Sequence, residues 1–156
     1  MKNLTLTSLI LTAITAISLA SANSVFAETA NLNIKMKPLN NTKGNLVYSL
    51  YNSEGSYARQ TDELQTKTIP VVDAKGADGA AHVKISDLPP GLYAFTVFHD
   101  ENANNELDKN WLGKPQEMFG ISNIERTLWS EPNWDEVSFE IKSGENKELS
   151  ITLKYQ

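Results

Sequence analysis

Short runs in which apolar and polar residues alternate dominate the chain after residue 28. This period of two is typical of half-buried β-strands, and Gly, Pro, Asn and Asp separate most of the runs. No convincing long amphipathic helix appears between them. The pattern therefore predicts an all-β fold, an antiparallel immunoglobulin-like or transthyretin-like β-sandwich of about seven strands. The predicted strands are residues 32–36, 46–51, 66–72, 82–85, 92–99, 137–141 and 149–155.

Four of these runs carry further information about position. Residues 92–99 have apolar side chains on both faces, which indicates a central strand. Pro70 predicts that the third strand lies at an edge or ends early. The last two runs flank a turn at 143–146 and predict a closing hairpin, and residues 53–63 allow a helical turn. A small outer-membrane barrel is the competing all-β fold, but its strands need about 9–11 residues.

The first 27 residues have the features of a secretory signal peptide. Lys2 precedes an apolar stretch at 4–20, and the small residues Val25 and Ala27 come just before Glu28. Cleavage after Ala22 also fits, and a membrane anchor is the alternative because the stretch is roughly long enough to span a bilayer. We expect residues 1–27 to be a signal peptide and residues 28–156 to be one β-sandwich domain. The expected location is periplasmic or secreted, with no membrane span after cleavage.

Composition excludes several classes of protein. The chain has no cysteine, so disulfides, thiolate nucleophiles, thiolate-bound metals and a lipid-modified cysteine are impossible. Its 14 basic and 19 acidic residues disfavour nucleic acid as a partner, because phosphate contacts need a basic surface. The expected partner is an unidentified protein or small ligand. Residues 100–140 hold ten acids and three bases, which indicates where a cation or basic partner would bind.

The segment from residue 100 to about 136 separates two predicted strands and is unusually long for a loop in a compact domain. It contains all three tryptophans together with Met118, Phe119 and Ile121. A segment with that apolar content is expected to be ordered and packed on the sandwich. For Trp111, Phe119 and Trp134, burial beneath the loop is favoured over an aromatic surface that contacts a ligand.

The start of this segment matches part of a calcium-loop pattern. Asp100, Asn102 and Asn104 occupy positions 1, 3 and 5, where a tightly curled loop turns their oxygens toward one centre. Glu106 would supply its backbone carbonyl at position 7, and Asp108 a carboxylate at position 9. These five residues are the candidate metal ligands, and calcium is the only expected cofactor.

The match to the pattern is incomplete. Position 6 is Asn105 instead of Gly, and position 12 is Trp111, so Glu101 or Glu117 would have to replace the missing bidentate Glu. The loop also follows a strand, not a helix. An incomplete ligand set predicts weak binding, with a Kd of about 10⁻⁴–10⁻³ M. The alternative is an Asx-rich turn whose side chains bond to local backbone amides without a metal.

No catalytic constellation is evident, and the chain is expected not to be an enzyme. His99 and Asp100 are adjacent on a strand and would point to opposite faces, and no Gly-x-Ser-x-Gly elbow or phosphate loop exists. His99 is expected to be a hydrogen-bonding residue at the sheet end, and His82 to face solvent or the sandwich edge. An envelope hydrolase with His99 or Glu117 as general base is one alternative function. A subunit of a surface assembly, pairing through the edge near Pro70, is another.

A family resemblance covers most of the chain, from about Leu32 to Leu153. Residues 87–95, Asp-Leu-Pro-Pro-Gly-Leu-Tyr-Ala-Phe, resemble the turn and strand of transthyretin-like and carboxypeptidase-regulatory-like domains. Together with 97–102, 107–108, 113–117 and 119–123, they resemble the bacterial domain-of-unknown-function family 2141. The departure is Asn105, where that family usually has Gly. The resemblance implies an exported immunoglobulin-like sandwich whose shared feature is the loop at 100–108, and it implies no activity.

Overall fold

The computed structural model describes residues 28–125 and 130–155, which contain eight strands and three short helices. The predicted signal peptide lies outside the described residues. The strands are β1 (Ala30–Lys37), β2 (Asn45–Tyr51), β3 (Gln65–Pro70), β4 (Ala81–Leu88), β5 (Gly91–Asp100), β6 (Phe119–Ile121), β7 (Phe139–Ile141) and β8 (Asn146–Thr152). The helices are α1 (Glu54–Arg59), α2 (Val71–Ala74) and α3 (Trp134–Val137).

The strands form two sheets, and the predicted all-β sandwich is confirmed. One sheet has three strands in the order β4-β1-β8, and the other runs β3-β2-β5-β6, with β7 also paired to β5. All pairs are antiparallel except β1 with β8, which is parallel. The prediction of about seven strands missed β6, whose three residues are too few to show a periodic pattern.

The core lies between the sheets and follows from the alternation in each strand. Leu32, Ile34 and Met36 of β1 are buried, while the residues between them are partly exposed. Tyr93, Phe95 and Val97 of β5 belong to the same buried cluster. The apolar strand faces that the sequence predicts are therefore the faces through which the two sheets pack against each other.

Several local predictions are confirmed. β5 lies inside its sheet between β2 and β6, and β3 lies at the edge and ends at Pro70. The predicted helical turn is α1, where the Ser53 side chain accepts a hydrogen bond from the backbone N–H of Ser56. Such an N-cap satisfies one of the donors that the first helical turn leaves free.

The predicted closing hairpin is wrong. β7 pairs with β5 in the larger sheet, whereas β8 pairs with β1 in the smaller one, so residues 142–145 connect the two sheets. Both strands alternate as expected. A periodic pattern specifies which residues face the core, but it does not specify which neighbouring strand supplies the hydrogen bonds.

The outer face of the five-stranded sheet carries a second, smaller apolar cluster. Tyr51 and Tyr57 meet edge to face with ring centroids 5.6 Å apart, and Trp134 lies 6.1 Å from Tyr57. Trp134 packs on this cluster and Phe119 lies in β6, but both are only half-buried, so their predicted burial is met in part. The burial predicted for Trp111 is wrong, because its side chain is 90% exposed. It lies in a turn closed by a hydrogen bond from the Gly113 N–H to the Asn110 carbonyl.

No helix in the described part of the chain combines the length and the apolar character needed to cross a membrane.

Candidate functional site

The acidic loop, residues 100–108, begins where β5 reaches the end of its sheet. Asp100 is fully buried and pairs with Asn45 of β2. Beside it, Gly44 has a φ of +64°, and a β-carbon at that position would lie 1.9 Å from the Asp100 carbonyl oxygen. The turn before β2 therefore approaches the start of the loop so closely that only glycine fits there.

The Asp100 carboxylate organises the loop that follows it. One oxygen accepts a hydrogen bond from the backbone N–H of Asn104 at 3.1 Å, and the other accepts from that of Asn105 at 2.8 Å. Ala103 and Asn105 both have positive φ, at 61° and 63°. The chain curls around the carboxylate, and asparagine at 105 adopts the left-handed conformation for which calcium loops usually have glycine.

The remaining predicted ligands lie together on one side of the loop. The side-chain N–H groups of Asn102 and Asn104 donate to the two oxygens of Asp108, at 2.6 and 3.1 Å. The amide oxygens accept from backbone N–H groups: Asn102 from that of Asn104, and Asn104 from that of Glu106. The loop thus brings four of the five candidate side chains together, whereas Glu106 contributes its backbone only.

Glu117 supports the loop from beneath. Its buried carboxylate accepts from the backbone N–H of Glu101 at 3.0 Å and from that of Asp108 at 3.2 Å. Burial raises the pKa of Glu117, the two hydrogen bonds lower it, and the charges of Asp100 and Asp108 raise it further. Of the two possible replacements for the missing bidentate Glu, Glu117 contacts the loop, while Glu101 accepts a hydrogen bond from the Asn41 side chain.

The described residues hold no group of three or more histidine, aspartate and glutamate side chains arranged to share one metal ion. Any cation at the loop would therefore depend on amide and carbonyl oxygens as much as on carboxylates. Oxygen donors of this kind suit calcium, which accepts mixed ligands and irregular geometry.

The two histidines lie where the sequence predicts. His99 is fully buried, its Nε2 is 2.8 Å from the Lys43 carbonyl oxygen, and its Nδ1 has no hydrogen-bond partner among the described residues. His82 is exposed on β4, the edge strand of the small sheet, and bonds to Asp78. Lys35 and His82 both hydrogen-bond to Asp78, and together with the Ala80 N–H they hold the pKa of that carboxyl well below its usual range.

Sequence reasoning missed three residues that hold the loop in place. Gly44 permits the close approach, Asn41 bonds to Glu101, and the Thr68 hydroxyl of β3 donates to the Asn105 side chain at 3.0 Å. All three come from segments distant in the sequence. The one local signal was the Asn-Thr-Lys-Gly sequence at 41–44. It predicts a turn, but it does not predict that the turn packs against the acidic loop.

Comparison with known proteins agrees with the family resemblance. No curated protein and no solved structure matches the chain. One family model matches residues 34–149, which include the whole acidic loop and at least part of every strand; its description is "Uncharacterized protein conserved in bacteria (DUF2141)". The match covers well over half of the chain, and the protein therefore belongs to the DUF2141 family.

Proposed function

We propose that this protein is an exported β-sandwich module with a binding or structural role, and that its acidic loop binds calcium weakly. The observation that carries the proposal is the arrangement around Asp100. Its buried carboxylate curls the loop by bonding to two backbone amides, and this brings the side chains of Asn102, Asn104 and Asp108 together.

The donor set fits calcium better than other common ions. Asp100 and Asp108 provide two carboxylates, Asn102 and Asn104 provide amide oxygens, and Glu106 provides a backbone carbonyl. Calcium takes six to eight such oxygens, whereas magnesium demands a tight octahedron and zinc prefers nitrogen and sulfur. The two carboxylates would balance the charge of the ion. The bound ion would in turn reduce the repulsion between these carboxylates and Glu117.

The internal hydrogen bonds of the loop compete with the ion. The amide oxygens of Asn102 and Asn104 already accept from backbone N–H groups, and Asp108 already accepts from their amide nitrogens. Calcium would have to replace the bonds to Asp108 and turn the two amide oxygens toward the centre. This competition is a second reason to expect a Kd of about 10⁻⁴–10⁻³ M.

Thermal unfolding in calcium and in chelator tests the ion. With 10 mM calcium and a Kd in this range, mass action should stabilise the folded state by about 1–3 kcal/mol. Asp108→Asn removes one carboxylate and should abolish most of that gain. Asp73→Asn, an exposed residue on α2, is the matched control and should retain it.

Equal melting temperatures for the wild type in calcium and in chelator would contradict the proposed calcium site. A gain that persists in Asp108→Asn but not in Asp73→Asn would place the ion elsewhere on the chain. Magnesium at the same concentration measures selectivity, and a shift equal to that with calcium would indicate general charge screening.

A non-enzymatic role is supported by the environment of the two candidate bases. His99 is fully buried with its Nε2 against the Lys43 carbonyl, and both oxygens of Glu117 accept backbone hydrogen bonds. Both side chains are buried, so neither is open to a bound substrate. Turnover in a hydrolase screen that is lost in both His99→Gln and Glu117→Gln, with folding retained, would overturn this part of the proposal.

Export is supported by the signal-like sequence at 1–27. N-terminal sequencing of the protein recovered from a bacterial envelope or culture medium tests it. A mature protein that begins at Glu28 or Asn23 is the expected result, and an intact Met1 in the cell interior would contradict it.

A role as an assembly subunit is the second candidate, favoured by the edge strand β3. One side of β3 pairs with β2, and most of its residues are exposed. Another strand could add to such an edge, although Lys67 and Pro70 are residues that natural proteins place there to prevent pairing. Light scattering of the purified protein, with Thr66→Pro as the variant that blocks strand addition, distinguishes a self-assembling subunit from a monomer.

A further inference from the structure

A cleft of about 730 Å³ lies on the outer face of the five-stranded sheet. We call it the outer cleft. Residues 130–132 and the α1 segment line it at the end where Tyr51 leaves β2, and residues 107–115, which begin within the acidic loop, line it at the end where β5 ends at Asp100. A volume of this size is within the range of sites that bind small molecules in proteins.

The strand register determines what forms the floor. Ser49 of β2 pairs with Thr96 of β5, which pairs with Ile121 of β6, so these side chains form one row across the sheet. In the next row Phe98 pairs with Phe119. All five side chains line the cleft and are half-buried. The floor therefore offers hydroxyl groups in one row and aromatic rings in the other, and it carries no charge.

One wall of the outer cleft is aromatic and acidic. Tyr51 and Tyr57 line it together with Glu63 and Glu131. The Tyr57 hydroxyl donates to the carbonyl of Pro132, the residue after Glu131, at 3.1 Å, and burial followed by the charge of Glu131 raises the pKa of Tyr57 to about 12. Carboxylates beside aromatic rings attract an ammonium group through both charge and cation–π interactions.

The opposite wall is basic. Lys109 and Lys114 line it, and they are the only bases between residues 100 and 125. A tight turn fixes their spacing. The Asn110 N–H donates to the Lys114 carbonyl at 2.9 Å, and the backbones of Lys109 and Pro115 form an isolated antiparallel β-bridge. Within the described ranges neither ammonium forms an ion pair. Both are therefore available to an anionic group in the cleft.

We propose that the outer cleft binds a short peptide with free termini and apolar side chains. Its α-ammonium lies at the acidic wall near Glu131, and its carboxylate lies at Lys109 and Lys114. The hydroxyls of Ser49 and Thr96 hydrogen-bond to its peptide groups, and its apolar side chains pack on Phe98 and Phe119. This site is separate from the proposed ion and does not need it.

The opposite charges of the two walls are the reason to prefer a zwitterion. A simple anion would be attracted to the lysines but repelled by Glu63 and Glu131. A simple cation would be attracted to these glutamates but repelled by the lysines. The uncharged floor accommodates the chain between its charged ends. The volume is larger than one amino acid needs and sufficient for about three residues.

Calorimetry with the tripeptide Leu-Phe-Leu tests the site, and its N-acetylated and C-amidated forms serve as probes of the ammonium and of the carboxylate. We expect the free tripeptide to bind, and each cap to weaken binding at least about fivefold, because each removes one terminal charge. In Glu131→Gln the N-acetyl group should matter less than in the wild type, and in the double variant Lys109→Gln/Lys114→Gln the C-terminal amide should no longer matter. These paired losses assign each terminus to its wall.

Variants of the floor and distant residues complete the design. Thr96→Trp fills the floor and should abolish binding, and Ser49→Trp is a second filling variant should the first fail to fold. Glu140→Gln and Lys84→Gln, exposed on β7 and β4, remove equivalent charges outside the cleft and should leave affinity unchanged. Absence of binding by the wild type, or binding that survives in a folded filling variant, overturns the proposal.

Each titration is carried out in calcium and in chelator. Peptide binding in chelator, without any stabilisation by calcium, would support the peptide site and contradict the proposed calcium site. Stabilisation by calcium with no peptide binding would support the calcium site and contradict the peptide site. Cap effects that are equal in wild type and in both wall variants would overturn the proposed orientation.

Discussion

Gly44 lies directly against the backbone carbonyl of Asp100, so that a β-carbon at position 44 would come within 1.9 Å of that oxygen. We expect Gly44→Ala to destabilise the fold by more than about 2 kcal/mol, because the turn before β2 must move away from the acidic loop. The measurement is the free energy of unfolding in urea. Gly79→Ala is the control: its φ is also positive, at +77°, but nothing lies within 4 Å, so its cost should stay near about 1 kcal/mol.

Glu117 satisfies two backbone amides under the acidic loop, and its removal should loosen that loop. Glu117→Ala leaves the N–H groups of Glu101 and Asp108 without their acceptor, which should cost about 1–3 kcal/mol. Hydrogen exchange should accelerate at those two amides. Glu106→Ala removes an exposed carboxylate from the same loop and should change neither stability nor exchange. Similar effects of the two variants would contradict the supporting role of Glu117.

Ser122 extends the contact between β5 and the segment after β6 through its side chain. Its buried hydroxyl accepts from the Phe95 N–H at 3.0 Å and donates to the Val137 carbonyl at 2.6 Å. Ser122→Ala should therefore destabilise the protein by about 2 kcal/mol, because it leaves the buried Phe95 N–H unpaired and leaves the Val137 carbonyl with only a long, 3.4 Å bond from the Asn123 side chain. Chemical denaturation measures the loss. Ser150→Ala, an exposed change on β8, should have almost no effect.

Alkaline pH should destabilise the fold through Tyr57. Its pKa in the folded protein is raised to about 12 from 10.0, so the unfolded chain loses the phenolic proton first. The stabilisation is complete below pH 10 and is lost as pH rises toward 12. Because Tyr57→Phe lacks this titration, its stability should approach that of the wild type over this interval. At neutral pH it should be less stable by about 1 kcal/mol, since the bond to the Pro132 carbonyl is gone.

Periodicity predicts most of the sandwich because burial on one face forces alternation. It gives the buried residues of β1 and both apolar faces of β5, and Pro70 correctly predicts the edge position of β3. It fails for the pairing of β7 and β8, since either sheet can bury the same alternating residues. It also fails for Trp111, because an apolar residue in a turn has no strand neighbours to cover it.

The acidic loop is predictable in part, because some of its contacts are between residues close together in the sequence. Asp100, Asn102, Asn104 and Asp108 act locally, so their spacing suffices to predict that they converge. The residues that hold the loop against the sheet, Gly44 and Thr68, belong to other strands and turns. Their contribution depends on a register that forms only when the sheet assembles.

The parallel pairing of β1 with β8 has a consequence for the order in which the chain can fold. Asn31 and Asn146 are bonded across 115 positions, so β1 lacks one neighbour until residues 146–152 have been synthesised. Contacts of such long range slow folding, because a large loop must close before they form. The small sheet is therefore expected to be the last part to consolidate, and a ribosome-bound fragment ending before residue 146 should remain open to proteases.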